Sequence, residues 1–144
     1  MAAFITLDSP TAVQAFMEEY YDAWQTDEER LLSYFAEEAS LEVIPGTLMN
    51  GRAAIRDQFI HPLMVGFPGN RHVKKKMVFG RDVVVVEWSF EAEHKGPFAG
   101  VSATGAHVAV QGCSVYEFDA VNSKITGGRV YFDVTTLLKQ ISAA

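Results

Sequence analysis

Apolar residues repeat at helical spacing in the first part of this chain and alternate at strand spacing after Arg71, and that order is its strongest constraint on fold. Val13, Phe16, Met17, Tyr20 and Trp24 form one stripe of an amphipathic helix. Ser9 and Pro10 mark its start, because a serine hydroxyl accepts from the unpaired first N–H groups and proline suits the first helical position. Asp27 is placed to cap a second, short helix, with Glu28 and Glu29 favourable in its first turn and Leu31, Leu32 and Phe35 inward. Ala39 to Ile44 reads as a strand closed by Pro45-Gly46. Asn50-Gly51 opens a third helix with Ala54, Ile55 and Phe59 inward, which Pro62 should kink or end.

In Val83 to Ala92, Val84, Val86, Trp88, Phe90 and Ala92 share one face, and Glu87, Ser89 and Glu91 lie on the other. A small-residue loop from Gly96 to Gly105 leads into a long strand, Ala106 to Phe118. A turn at Asn122-Ser123 and a final strand and short helix follow. Helices first and strands afterwards imply an α+β fold: N-terminal helices packed in the concave face of a curved, mainly antiparallel sheet, with the pocket between them. Residues 1–144 read as one domain, without repeats or linkers.

A net charge of −6 argues against a nucleic-acid partner, which would want a basic face; Lys74, Lys75 and Lys76 form the only basic run. Cys113 is the single cysteine, so a disulfide framework is excluded and a reducing, cytoplasmic setting is expected. No apolar run is long enough to cross a membrane, and the N-terminus lacks a secretory pattern. The four histidines and the carboxylates show no metal-ligand spacing, so neither metal nor cofactor is expected.

The segment Lys-Ile-Thr-Gly-Gly-Arg-Val-Tyr-Phe-Asp-Val-Thr-Thr-Leu-Leu, from Lys124 to Leu138, resembles the C-terminal segment of the SnoaL-like polyketide cyclases and of limonene epoxide hydrolase. Phe35-Ala36-Glu37-Glu38-Ala39, Asn50-Gly51-Arg52-Ala53-Ala54-Ile55-Arg56 and Thr104-Gly105 follow the same superfamily's order. The resemblance implies a nuclear-transport-factor-2-like fold, a cone-shaped α+β barrel that dimerises through its outer sheet face, which here carries Glu87, Glu91, Glu117, Arg129 and Tyr131.

Carried over residue by residue, the resemblance returns losses. The acid–base aspartate that follows the final arginine in the cyclases matches Val130, and their assisting histidine matches Tyr116. Trp88-Ser89-Phe90 stands where the hydrolase keeps Arg-x-Asp, and Leu41 and Val43 stand where it keeps Tyr and Asn. The aspartate base of ketosteroid isomerase also matches Val43, and its protonated aspartate falls at about Ser114. The implied pocket is apolar, lined by Tyr20, Trp24, Leu41, Val43, Trp88, Phe90, Ser114, Tyr116 and Val130, and suits a small hydrophobic ligand such as a polyketide, terpenoid or steroid. Any surviving chemistry is expected from Tyr116 with Tyr20, two phenols polarising a carbonyl or enolate oxygen without cofactor. The rival reading is a non-catalytic dimeric module whose pocket is filled by Trp24, Trp88 and Phe90. A third, a water-activating epoxide hydrolase, lacks the base it needs.

Other polar residues read as structural. Asp133 fits a helix N-cap and lies on the face opposite Val130. His107 is out of phase with Tyr116 and faces away unless Gly112 makes a bulge. His72 falls on the polar side of its strand, opposite Val73, Met77 and Phe79, whereas Lys75 shares the apolar side and would snorkel. His94 lies near the loop, with no role legible.

Overall fold

The structure, a computed structural model, describes residues 7, 9–43 and 46–142. Helix α1 (Pro10–Thr26) begins where expected: Ser9 Oγ accepts from the Ala12 N–H at 3.2 Å, and Pro10 occupies the first turn. Asp27 ends α1 and caps α2 (Glu28–Ser33), accepting from the Arg30 N–H at 3.0 Å. Strand β1 (Phe35–Val43) begins earlier than its apolar core suggests; Ile44 and Pro45 lie outside the described residues. A short β2 (Leu48–Asn50) then pairs back onto β1.

Gly51 precedes helix α3 (Arg52–Ile55) at φ +92°, a conformation open to glycine. Pro62 does not end the helical run. The chain widens into a π-helical turn at Arg56–Ile60 and resumes as α4 (His61–Gly66), with Pro62 in its first turn. Proline supplies no N–H and its ring crowds the carbonyl four residues back; one wider turn relieves both conflicts while the chain stays helical. That widened turn carries buried Phe59 and Ile60.

Strands β3 (Arg71–Gly80), β4 (Val83–Glu93), β5 (His107–Asp119) and β6 (Lys124–Phe132) complete a six-stranded sheet in the order β2-β1-β6-β5-β4-β3. All neighbours are antiparallel except β1 and β6, which run parallel. The sheet is open, with β2 and β3 at its edges, and α1 packs on its concave side against β3. Helix α5 (Val134–Ser142) follows β6 and covers part of β5.

β4 and β5 keep an uninterrupted register, so Val84, Val86, Trp88 and Phe90 are buried together opposite Val108, Val110, Ser114 and Tyr116. Gly112 therefore makes no bulge with β4, and His107 is exposed. β3 behaves differently. Lys74 pairs with Trp88 and Lys76 with Glu87, leaving Lys75 as an extra residue between them. This bulge reverses the side-chain alternation. After it, Met77 and Phe79 face the core; before it, His72 and Lys74 do, while Val73 and Val78 are 36% and 55% exposed. The expected orientations of His72 and Lys75 are both corrected: Lys75 is exposed, and Lys74 lays its chain inward with Nζ 6.0 Å from the centre of the Tyr21 ring.

Candidate functional site

Between α1 and the concave sheet lies a small, partly open space walled by Tyr21, Trp24, Phe59, Leu63, His72, Trp88, Phe90, Val110, Ser114, Tyr116, Val130, Phe132 and Leu137. Of the expected lining residues, Trp24, Trp88, Phe90, Ser114, Tyr116 and Val130 stand on this wall. Leu41, at 0% exposure, and Val43, at 5%, are instead core residues of β1 away from it. β6, whose Val130 and Phe132 form that side of the wall, lies between β1 and the cavity, so Leu41 and Val43 stand one strand further out. Tyr20 is not on this wall and is tied to it through the hydroxyl of Tyr116.

The polar groups converge on Tyr116. Its hydroxyl lies 2.7 Å from that of Tyr20, a buried phenol–phenol hydrogen bond spanning α1 and β5. Tyr21 and Ser114 sit close enough to influence how Tyr116 ionises. Ser114, only 1% exposed, accepts from the Trp88 indole N–H at 2.8 Å. The Tyr21 hydroxyl is buried and makes no hydrogen bond, although Ser114 and Tyr116 are near enough to perturb it. A buried phenol without a partner costs about 1–3 kcal/mol, so this oxygen is poised for a partner in the cavity.

Burial is the first cause of a raised pKa for all three phenols, reinforced at Tyr20 by the adjacent Tyr116. They remain protonated donors at neutral pH. A hydrogen bond from Tyr20 to the Tyr116 oxygen leaves the Tyr116 hydrogen free for the cavity.

His72 closes the opposite side. Its ring centre lies 4.9 Å from Trp24, 5.0 Å from Phe90, 5.3 Å from Trp88 and 5.5 Å from Tyr21. Part of the residue stays exposed because β3 is an edge strand, yet the imidazole itself is enclosed by these rings. Loss of hydration pushes its pKa down to about 3, so it is neutral. Nδ1 is 3.2 Å from Oδ1 of fully buried Asn70, whose amide nitrogen donates to the Phe67 carbonyl at 3.2 Å.

Trp88 can lie across the site because β5 has Gly112 beneath it: a Cβ there would sit 2.3 Å from Trp88 Cζ2. Trp24 meets Phe59 edge-on at 5.4 Å, tying α1 to the π-helical turn. The remaining free volume is ≈ 20 Å³, about enough for one water and far below the ~300 Å³ of ordinary ligand pockets.

Tyr21 and His72 are the functional candidates that sequence patterning missed. Tyr21 had a signal, lying four residues after Met17 and three before Trp24, both buried. His72 had none, since its orientation depends on the bulge. Asp133 is a cap, as expected: it accepts from the Thr136 N–H at 3.0 Å and the Thr136 hydroxyl at 2.6 Å, and these bonds hold its pKa below the usual carboxylate range. His94 is fully buried; its Nδ1 lies 2.9 Å from the Thr104 hydroxyl and accepts from the Thr104 N–H, pinning the 94–105 loop away from the cavity. Among the described residues, no three His, Cys, Asp or Glu side chains gather in a way that could hold a metal ion.

A cone-like open sheet around an N-terminal helix, with an apolar space at their junction, defines the class. The sequence profile of the SnoaL-like polyketide cyclases matches residues 12–141, and the chain belongs to that family. No curated protein matches it. Among solved structures, a SnoaL-like protein from Jannaschia sp. CCS1 is similar at a TM-score of 0.82 and 20% identity, over 94% of this chain and 96% of its own. AclR from Streptomyces galilaeus is similar at 0.81 and 19%, over 94% and 84%. TerC, co-crystallised with polyporic acid, is similar at 0.70 and 18%, over 90% and 97%. These likenesses establish the nuclear-transport-factor-2-like fold. No described helix is long and apolar enough to cross a membrane.

Proposed function

We propose that this chain binds a small, largely apolar molecule bearing a carbonyl group, polyketide-, terpenoid- or steroid-like in character, in the space beside Tyr116. The observation that carries the reading is the 2.7 Å Tyr20–Tyr116 hydroxyl pair at an otherwise aromatic wall, with the unpartnered Tyr21 hydroxyl beside it. Tyr116, backed by Tyr20, donates to the ligand's oxygen. Such donors suit an isomerisation, cyclisation or dehydration through an enolate, without cofactor, because they stabilise negative charge where it develops. Family membership and the co-crystallisation of TerC with polyporic acid support a small-molecule site.

Entry requires the wall to open. Phe59 and Leu63 are the movable candidates, since they sit on the π-helical turn and α4 rather than on the sheet. The homodimer through the outer sheet face belongs to the same proposal, and light scattering of the purified protein tests it.

A second reading is favoured by the ≈ 20 Å³ of free volume: a dimeric module whose pocket is filled by Trp24, Phe59, Trp88 and Phe90. α-Tetralone and tetralin, which differ by one carbonyl, separate the two. The ligand reading expects α-tetralone to bind about 5–10-fold more tightly than tetralin, a preference lost in Tyr116→Phe, as expected for one hydrogen bond of ~1 kcal/mol. Binding of neither compound up to its solubility sinks it in favour of the filled module.

A further inference from the structure

Among the described residues, His72 is the only imidazole on the cavity wall, which holds no carboxylate, so its ring nitrogen is the one side-chain base there. Its two nitrogens are not equivalent. Asn70 is fully buried and its Nδ2 donates to the Phe67 carbonyl, so the amide is oriented with Oδ1 toward His72 Nδ1. An amide oxygen only accepts, so Nδ1 carries the imidazole hydrogen and Nε2 keeps its lone pair. The bulge at Lys75 is what brings this ring inside, and rings of Trp24, Trp88 and Phe90 hold it there. Across the same small space stand the Tyr116 hydroxyl and the unpartnered Tyr21 hydroxyl.

We propose that His72 is the proton-transfer residue of this site, with Nε2 removing a proton from the carbon next to the ligand's carbonyl while the Tyr116 and Tyr21 hydroxyls hold the carbonyl oxygen. This rests on the carbonyl-ligand reading above. The C–H electron pair becomes the new carbon–carbon double bond, the carbonyl π pair moves onto oxygen, and the proton resides on Nε2. Its return to carbon restores neutral imidazole, so nothing is consumed. A lone imidazolium among these rings is unfavourable, and the depressed basicity of His72 expresses that. Here the cation forms together with an enolate a few ångströms away, and two opposite charges created as a pair among apolar rings stabilise each other.

Deuterium exchange into β-tetralone in heavy water, followed by proton NMR, tests the proposal, with binding of the same compound measured in parallel. Wild-type protein is expected to accelerate exchange over buffer, and His72→Gln, which keeps a side-chain donor for Asn70, to lose about a hundredfold or more of that rate while still binding β-tetralone. Binding with exchange unchanged in His72→Gln, or with none in the wild type, overturns the role of His72 and leaves the pocket reading intact. Absence of both binding and exchange overturns the two together. Long-range ¹H–¹⁵N spectra of the wild type provide an independent reading. His72 is expected as the neutral Nδ1–H tautomer at pH about 6, and an Nε2–H tautomer or imidazolium there refutes the geometry.

Discussion

Acidification strains this fold at His72. In the folded chain its pKa lies at about 3 against an ordinary 6.5, so between those values the unfolded chain takes up a proton that the folded chain refuses. Above pH 6.5 both states are neutral and the residue contributes no pH dependence. As pH falls through the unfolded value, each unit removes up to ~1.4 kcal/mol from the stability of the fold. At pH about 4.5, two units below that value, the loss is ~2.7 kcal/mol for an imidazole wholly shielded from water. The part of His72 left to solvent at the sheet edge reduces this, and about 1–2 kcal/mol is expected.

Urea unfolding followed by fluorescence of the buried Trp24 and Trp88, at several pH values from about 7.5 to about 4.5, measures the slope. His72→Gln should flatten it. The comparison is between slopes, so any constant change in packing drops out. Asp57, Asp119 and Asp133, whose pKa values are lowered by their partners, also lose stabilisation in acid, but mainly below pH about 4 and equally in both proteins. Coincident slopes refute the placement of His72 among the aromatic rings.

Tyr20→Phe and Tyr116→Phe should each cost about 1–2 kcal/mol, and the double variant should cost less than their sum by ~1 kcal/mol, because the first removal has already broken the shared hydrogen bond; strict additivity rules the bond out. In alkali, Tyr20, Tyr21 and Tyr116 should resist ionisation beyond the ordinary pKa of 10.0 until the protein unfolds, since their raised values favour the neutral phenol. Their stabilisation is full below pH 10 and lost above it, and absorbance near about 295 nm that rises together with unfolding is the expected signature. Gly112→Ala should destabilise by about 1–3 kcal/mol or more, because its Cβ would lie 2.3 Å from Trp88 Cζ2 and 2.8 Å from the Tyr131 carbonyl; an unchanged melting temperature refutes the packing of Trp88 over β5.

Much of this architecture is local and therefore legible in the sequence. Ser9, Asp27 and Asp133 satisfy backbone donors a few residues ahead, so residue type and spacing suffice to place three helix starts. The alternation around Trp88 and Phe90 assigns the faces of β4, because a regular strand has a fixed period and β4 keeps it against β5. Tyr20 and Tyr116 were legible as a pair for the same reason, one on the helical stripe and one on the inward face of a strand with no interruption.

What the tertiary structure alone decided are features in which one element answers another. The bulge at Lys75 arises from how β3 registers with β4, and that single extra residue turns His72 from the surface into the cavity. The parallel pairing of β1 with β6 places Leu41 and Val43 one strand outside the wall residues Val130 and Phe132, so an alignment by position could not tell core from site. The widening of the helix before Pro62 delivers Phe59 onto Trp24 and closes the space to ≈ 20 Å³. Periodicity reports which way a side chain points along its own element; register, bulges and close packing between distant elements set what it meets there.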